Sequence, residues 1–487
     1  MKTVSIDPIT RLEGHGRIDI FIDDDGHVDN AYLRIPELRG FEKFCVGRPV
    51  EELPRITTRI CGVCPEAHHM ASAKAGDAVY HVDPPETAKK LRRLLYNTFF
   101  VADHSVHFYV LAGADFVVGP TAPVEERNIF GLIQKVGVET GLKVVEARKR
   151  AQQLIKLLGG RSIHQVTSLP GGVTRGLTEE ERLTAEEITG ELVEFSKFTV
   201  KILEDVVLSN QEYVDLITGD TFRHETHYMG LVDENNHPDY YDGDIRVVDN
   251  EGKEIARFKP HEYLDHIEER VEPWTYLKVP YLKARGWSGM TDGAASGVYR
   301  AAPLARLNVA DGMSTPLAQE QYERMMATLG GKPVHFTLAY HWARVIELVN
   351  AAEMAYDLAR DPEITNPDIR TVPTEVPDEG VGVVEAPRGT LFHHYKTDEK
   401  GILTDVNLIV GTTNNYAAIN LSIKKAAQEL LEGTKEITNG VLNMIEMAFR
   451  AYDPCFGCAT HALPGQMPLE VVVFDAQGEV VNHRVRD

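Results

Sequence analysis

Two stretches decide how this sequence folds: Arg59-Ile60-Cys61-Gly62-Val63-Cys64 near one end, and Asp453-Pro454-Cys455-Phe456-Gly457-Cys458 near the other. Each contains a C-x-x-C pair, which brings two thiolates close enough to bind one soft metal. The 487-residue chain holds five cysteines, and the pairs use all but Cys45. Such sparing use points to one shared four-sulfur site. The fold must then bring the two ends of the chain together.

Spacing alone leaves three kinds of site open. Structural zinc takes four thiolates, but its ligand pairs usually lie within roughly a few tens of residues, and most of the chain separates these two. An iron–sulfur cluster also takes four thiolates. So does a redox metal that tolerates sulfur-only coordination, such as nickel. Read one at a time, the residues near the pairs have ordinary explanations. His68 reads as an ordinary, partly buried histidine. Glu13 and Glu42 are surface carboxylates, and Arg388 is a loop arginine. Asp453 ends a helix. Asp103 sits in an apolar helical stretch and needs a partner if it points inward.

Around the pairs the chain is mainly helical. Arg17-Ile18-Asp19-Ile20-Phe21-Ile22 alternates at period two, Asp25-Gly26 marks a turn, and 28–35 returns as a second strand. Pro85-Glu86-Thr87 opens a helix with apolar positions at 91, 94, 95, 99, 102 and 106. A second helical stretch covers 124–158, with a break near Gly137. Thr178-x-x-Glu181 is a capping box for a helix toward Val207. Residues 245–248 and 254–257 form a hairpin, and 315–329 and 335–358 return to helix. The Pro- and Asp-rich residues 360–382 read as a surface loop, and 385–389 as a short non-helical crossing. Amphipathic helices over 416–432 and 438–452 lead into the second pair. The tail reads as strand at 469–474, a turn at 475–478 and strand from Glu479. The expected fold class is mainly α with peripheral β-hairpins (α+β), with one large core rather than independent domains.

Composition narrows the function. A formal net charge of -22 opposes nucleic-acid binding and docking on anionic lipid. No apolar run reaches the roughly 18 residues of a membrane span, and the N-terminus lacks a signal region. An odd number of cysteines argues against a secreted disulfide framework. The expectation is a cytoplasmic protein in a reducing compartment.

Five stretches, taken in order, resemble the large, catalytic subunit of a nickel–iron hydrogenase. They are Arg11-Leu12-Glu13-Gly14-His15; the first cysteine pair with His68; Asp103-His104-Ser105-Val106-His107-Phe108-Tyr109; Glu385-Ala386-Pro387-Arg388-Gly389; and the second cysteine pair with His461. The resemblance runs from residue 11 to residue 461, and the order of all five motifs makes it specific.

The resemblance implies reversible heterolytic cleavage of dihydrogen at a nickel–iron centre whose iron carries carbon monoxide and cyanide. Cys61 and Cys455 would be terminal on nickel, and Cys64 and Cys458 would bridge to iron. Arg388 would overhang the open metal position, held by Asp103 and Asp453. Glu13, beside Cys455, would take the departing proton. Pro387, Thr412 and His68 would line the cofactor, His68 orienting a thiolate by a hydrogen bond. Glu42, His461 and the carbonyl of Leu408 would bind magnesium or iron near the C-terminus. Residues 1–461 would be one catalytic unit, and 462–487 an extension removed by a maturation endopeptidase.

Gly411-Thr412-Thr413-Asn414-Asn415 departs from the Pro-Thr-Thr-Trp-Asn of membrane-bound uptake enzymes. It resembles the cytosolic, reversible branch, coupled to NAD(P), ferredoxin or a heterodisulfide reductase. With four cysteines committed, Cys45 alone cannot hold a cluster. No strand-linked G-x-G-x-x-G is present. Electrons would therefore leave through an iron–sulfur small subunit. Two other readings stand beside this one: a non-catalytic relative of the complex I core subunit, which lacks the cysteine pairs, and a zinc-stapled structural protein.

Overall fold

The computed structural model describes residues 2–433, 436–462, 469–474 and 480–486. The expected turn at 475–478 lies outside them. The chain is mainly helical with small sheets, as its periodicity predicts. An antiparallel sheet opens it: β1 (Lys2–Ile6), β2 (Arg17–Ile22) and β3 (Val28–Arg34). Helix α1 (Pro65–Val79) then starts directly at Cys64.

Four long helices form a bundle: α2 (Glu86–Val106), α3 (Val138–Gly159), α4 (Glu179–Leu203) and α5 (Tyr340–Arg360). Their boundaries follow local chemistry. Gly137 adopts φ 86° and separates α3 from the helix Ile129–Val136, the break its sequence marks. Thr178 and Glu181 cap α4 reciprocally: the Glu181 N–H donates to Thr178 Oγ1 (3.2 Å), and the Thr178 N–H to Glu181 Oε2 (3.0 Å). Helix α2 runs on into a π-helical turn, His107–Ala112, just past Asp103. Such turns recur at functional sites.

A second sheet pairs β4 (His227–Val232), β5 (Asp244–Val248) and β6 (Glu254–Phe258), including the expected hairpin. The third sheet, β7 (Glu379–Ala386), β8 (Gly389–Thr397) and β9 (Leu403–Ile409), differs from the sequence reading. The end of the expected surface loop is strand, the non-helical crossing at 385–389 is the hairpin turn between β7 and β8, and most of both strands is buried against α1. The reason is steric. A Cβ at Gly382 would meet Ala71 O at 2.2 Å, so the strand reaches the helix only with glycine there. The same glycines blur a period-two strand pattern.

The chain closes with a one-turn helix α6 (Gly411–Asn414), then α7 (Tyr416–Leu431), α8 (Asn439–Arg450) and the short α9 (Phe456–Ala459). Strands β10 (Leu469–Phe474) and β11 (Val480–Arg486) pair antiparallel. Two large apolar clusters meet at α9. One joins β2 and β3 to α7 and α8 and takes in Phe456 and Ala459. The other joins α1 to the bundle and takes in all five cysteines. No helix among the described residues is long and apolar enough to cross a membrane.

Candidate metal centre

The two cysteine pairs meet. Cys61 Sγ lies 3.3 Å from Cys455 Sγ, and Cys64 Sγ lies 3.3 Å from Cys458 Sγ. All four sulfurs fall within 4.8 Å of one another, and all four residues are buried. Spacings of 3.3 Å are far beyond a disulfide bond of about 2.05 Å. The first pair is shaped to hold charge. The N–H groups of Val63 and Cys64 donate to Cys61 Sγ at 3.2 and 3.3 Å, and α1 turns its positive end toward the pair.

The N-terminal segment stitches the second pair in place. The Phe456 N–H donates to Glu13 O (3.1 Å), and Glu13 bridges Cys455 in a parallel register. Arg39 clasps both loops: Nη1 donates to Ile60 O (2.5 Å) and Gly457 O (3.2 Å), and Nη2 to Arg59 O (2.9 Å).

This cluster fits a thiophilic cation. Hydrogen bonds from Cys455, Cys458 and Cys64 pull the Cys61 thiol well below its ordinary pKa, while burial pushes Cys455 and Cys458 well above theirs. Several thiolates so close in a dry pocket repel one another. A cation displaces the remaining protons and removes that repulsion.

Arg388 stands at the tip of the β7–β8 hairpin, in the two-residue turn between Ala386 and Gly389. Its Nη1 donates to Asp103 Oδ1 and Oδ2 (3.2 and 3.1 Å), and its Nη2 lies 2.8 Å from Asp453 Oδ2. Burial works against the guanidinium charge, but Asp103 and Asp453 outweigh it and hold the pKa above the usual arginine range. Burial raises the Asp103 carboxyl against the pull of Arg388. Asp453 adopts φ 56°, a left-handed conformation that few non-glycine residues take. Its Oδ1 lies 3.0 Å from His107 Nδ1.

Glu13 Oε2 accepts from Cys455 Sγ (3.0 Å) and from the Gly457 N–H (2.8 Å). Burial raises its pKa above the ordinary carboxyl value, and the Cys61 charge adds to this. Thr412 Oγ1 accepts the Cys455 N–H at 2.9 Å, leaving its own proton to donate elsewhere. Pro387 is buried beside Arg388, its carbonyl 3.4 Å from Arg306 Nη2. His68 differs from expectation. Its ring nitrogen Nδ1 bonds His393 Nε2 (3.2 Å) rather than a sulfur, because β8 delivers His393 to that face of α1. His393 Nδ1 in turn bonds the Tyr395 hydroxyl at 2.6 Å.

A second set of donors converges behind the cysteines. His461 Nδ1 lies 2.8 Å from Cys458 O, its Nε2 lies 2.7 Å from Leu408 O, and Glu42 Oε1 lies 3.7 Å from that Nε2. Lys278 Nζ and the Leu408 N–H both donate to Glu42 Oε1. Both His461 ring nitrogens thus face carbonyl oxygens, yet a neutral imidazole has one N–H. Burial lowers the His461 pKa, so a second ring proton is disfavoured. A hard cation that took both Nε2 and Leu408 O as neighbouring ligands would remove the clash of lone pairs, and carboxylate, carbonyl and imidazole are donors that magnesium or iron accepts.

The structure therefore gathers Cys61, Cys64, Cys455, Cys458, Glu13, Arg388, Asp103, Asp453 and Thr412 in one place, with Glu42, Leu408 and His461 in an adjoining one. No sequence motif assigns a role to His107, Arg39, His393 or Asn415. His107 lies within a quoted motif, so its position was visible; its aspartate partner was not.

Known proteins share this fold and are similar in sequence. The family described as nickel-dependent hydrogenase matches residues 39–124 and 133–461. A second description, HoxL-like, matches residues 3–38. The chain is 51% identical over 481 residues to an F420-non-reducing hydrogenase iron-sulfur subunit of Archaeoglobus profundus, covering 99% of each. It is 40% identical to the beta subunit of the NAD-reducing hydrogenase HoxS of Cupriavidus necator, covering 100% of each. The crystal structure of an NAD+-reducing [NiFe]-hydrogenase in its H2-reduced state superposes with a TM-score of 0.89 at 37% identity, covering 95% of this chain and 100% of that one.

Proposed function

The chain belongs to the nickel-dependent hydrogenases as a large, catalytic subunit that cleaves dihydrogen, and from that premise we propose the part each residue plays and the route the electrons take. The four-thiolate cluster within 4.8 Å carries the reading. Neither a complex I-like relative nor a zinc-stapled protein accounts for it together with Glu13 and Arg388.

Cys61, Cys64, Cys455 and Cys458 hold a nickel–iron centre with carbon monoxide and cyanide on iron. When bound, that centre supplies the redox chemistry by which dihydrogen becomes two protons and two electrons. The chain's own groups do the rest. Cys455 Sγ passes a proton to Glu13 Oε2 across 3.0 Å. A carboxyl raised by burial is a better match to a thiol than an exposed one, which helps the proton move both ways. Arg388 is a fixed positive charge over the cluster, and its planar fork suits a cyanide nitrogen or a polarised substrate. Thr412 Oγ1 and the buried turn at Pro387 offer further contacts to the iron ligands. Glu42, Leu408 O and His461 hold magnesium or iron.

Electrons leave on the Cys61 side. Val63 is 37% exposed there, and Arg39, Arg55, Arg59 and Arg161 with Phe41 and Phe44 line an open cavity next to it. In a chain of net charge -22 this is a local positive face, suited to a partner carrying acidic groups and iron–sulfur clusters. Beyond that small subunit lies a module for NAD(P), ferredoxin or a heterodisulfide reductase, in the cytoplasm. Residues 462–487 are the segment that a maturation endopeptidase removes after metal insertion.

Purification from the native host tests the whole reading. The expected preparation holds nickel and iron, an iron–sulfur partner protein, and a large subunit whose mass ends at His461. Zinc alone, or an isolated chain that reduces NAD(P) or ferredoxin at full rate, would refute it.

A further inference from the structure

Five carbonyls of the turn that carries Arg388 each accept a hydrogen bond from a side chain. Glu385 O accepts from the Tyr96 hydroxyl (2.6 Å), Ala386 O from Arg306 Nη1 (2.9 Å) and Pro387 O from Arg306 Nη2 (3.4 Å). Arg388 O accepts from Asn415 Nδ2 (2.9 Å), and Thr390 O from Asn414 Nδ2 (2.5 Å).

The two asparagines are themselves fixed. Asn415 Nδ2 also donates to Gly411 O (3.2 Å), and its Oδ1 accepts the Ala301 N–H (2.8 Å). Asn414 Nδ2 also donates to Val410 O (3.2 Å), and its Oδ1 accepts from the Tyr299 hydroxyl (2.5 Å). Both residues are buried. Their primary amides are matched to these sites, since each both donates and accepts there.

The backbones touch as well. A Cβ on Gly411 would lie 2.9 Å from Arg388 C and 3.0 Å from Gly389 N, so no side chain separates α6 from the turn. From the same short helix, Thr412 Oγ1 holds the backbone N–H of Cys455. Helix α6 and its C-cap residue Asn415 thus grip the main chain of Arg388 and the main chain of Cys455.

We propose that Asn414 and Asn415 are positioning residues for Arg388, and that through α6 they set the separation between its guanidinium and the Cys455 thiolate. Asp103 and Asp453 orient the guanidinium, Tyr96 and Arg306 hold the carbonyls that precede Arg388, and the two amides hold those of Arg388 and Thr390. The inference rests on the reading that Arg388 works at the metal centre. A displacement near 1 Å costs about 10²-fold in a well-aligned reaction.

The test uses the complete complex with Asn415→Ala, Asn415→Asp, Arg388→Lys and the Asn415→Ala/Arg388→Lys double variant. Nickel and iron content, dihydrogen oxidation with a dye acceptor, and amide hydrogen exchange of peptides over 385–392 are measured. The expected result for Asn415→Ala is retained metals, turnover lower by about 10-fold or more, and faster exchange in the 385–392 peptides but not in α8. Asn415→Asp, which keeps the acceptor for Ala301 and loses the donor to Arg388, moves the same way and carries the test if the alanine variant does not fold. The double variant should be little worse than Arg388→Lys alone, because both act through one group. Wild-type exchange and turnover in the Asn415 variants, or losses that multiply in the double variant, would overturn the inference. Full activity in Arg388→Lys would instead overturn the reading beneath it.

Discussion

Glu13 and Cys455, 442 residues apart in sequence, share a 3.0 Å hydrogen bond between carboxylate and thiol. That contact joins a carboxylate from the segment between β1 and β2 to a cysteine at the N-cap of α9. It makes the site a product of both ends of the chain.

Replacing Glu13 with Gln keeps the shape and the acceptor oxygen for the Gly457 N–H, and removes the titrating proton. Metal content should stay unchanged, while hydrogen–deuterium isotope exchange and turnover fall by about 10²-fold, the usual weight of a positioned acid–base group. Unchanged exchange would return Glu13 to a structural role.

Cys61→Ser or Cys455→Ser should abolish turnover and reduce bound nickel. A hard hydroxyl replaces a soft thiolate, and no other cysteine approaches the cluster, since Cys45 has no place in the four-sulfur group. Elemental analysis beside activity checks this; wild-type nickel would contradict the ligand assignment.

Arg388→Lys should retain the metals and lose most activity. Lysine keeps the charge but cannot reach Asp103 and Asp453 at once with a planar fork, as Nη1 and Nη2 do here. Full activity would show that the fork is dispensable.

Glu66 supplies a pH test. Burial raises its carboxyl to about 8, with Gln165 Nε2 donating to Oε1 at 2.6 Å. Below about pH 4.5 the acid is protonated whether the chain is folded or not. Between there and about 8 the folded protein keeps a proton that the unfolded chain releases, so stability falls as pH rises, by at most about 1.4 kcal/mol per pH unit. Glu66→Gln should flatten that slope in thermal melts from pH 5 to pH 8. An unchanged slope would place the titration elsewhere.

The chemistry and the local elements are legible in the residues themselves. Four cysteines in two C-x-x-C pairs dictate a thiophilic site wherever they meet. Period and capping at Thr178, Gly137 and Pro85 set helix boundaries, because those signals lie within a turn or two of the residues they control. The motifs imply the pairing of Arg388 with Asp103 and Asp453 and of Glu13 with Cys455; the other partners emerge only when the chain packs. The buried β7 strand was hidden because Gly382 answers to a helix more than 300 residues away in sequence rather than to its own strand period. His68 turned to His393, His107 to Asp453, and Asn415 to the Arg388 carbonyl for the same reason. A buried polar group takes whichever donor or acceptor packing brings within about 3 Å, and no local pattern in the sequence records which one that is.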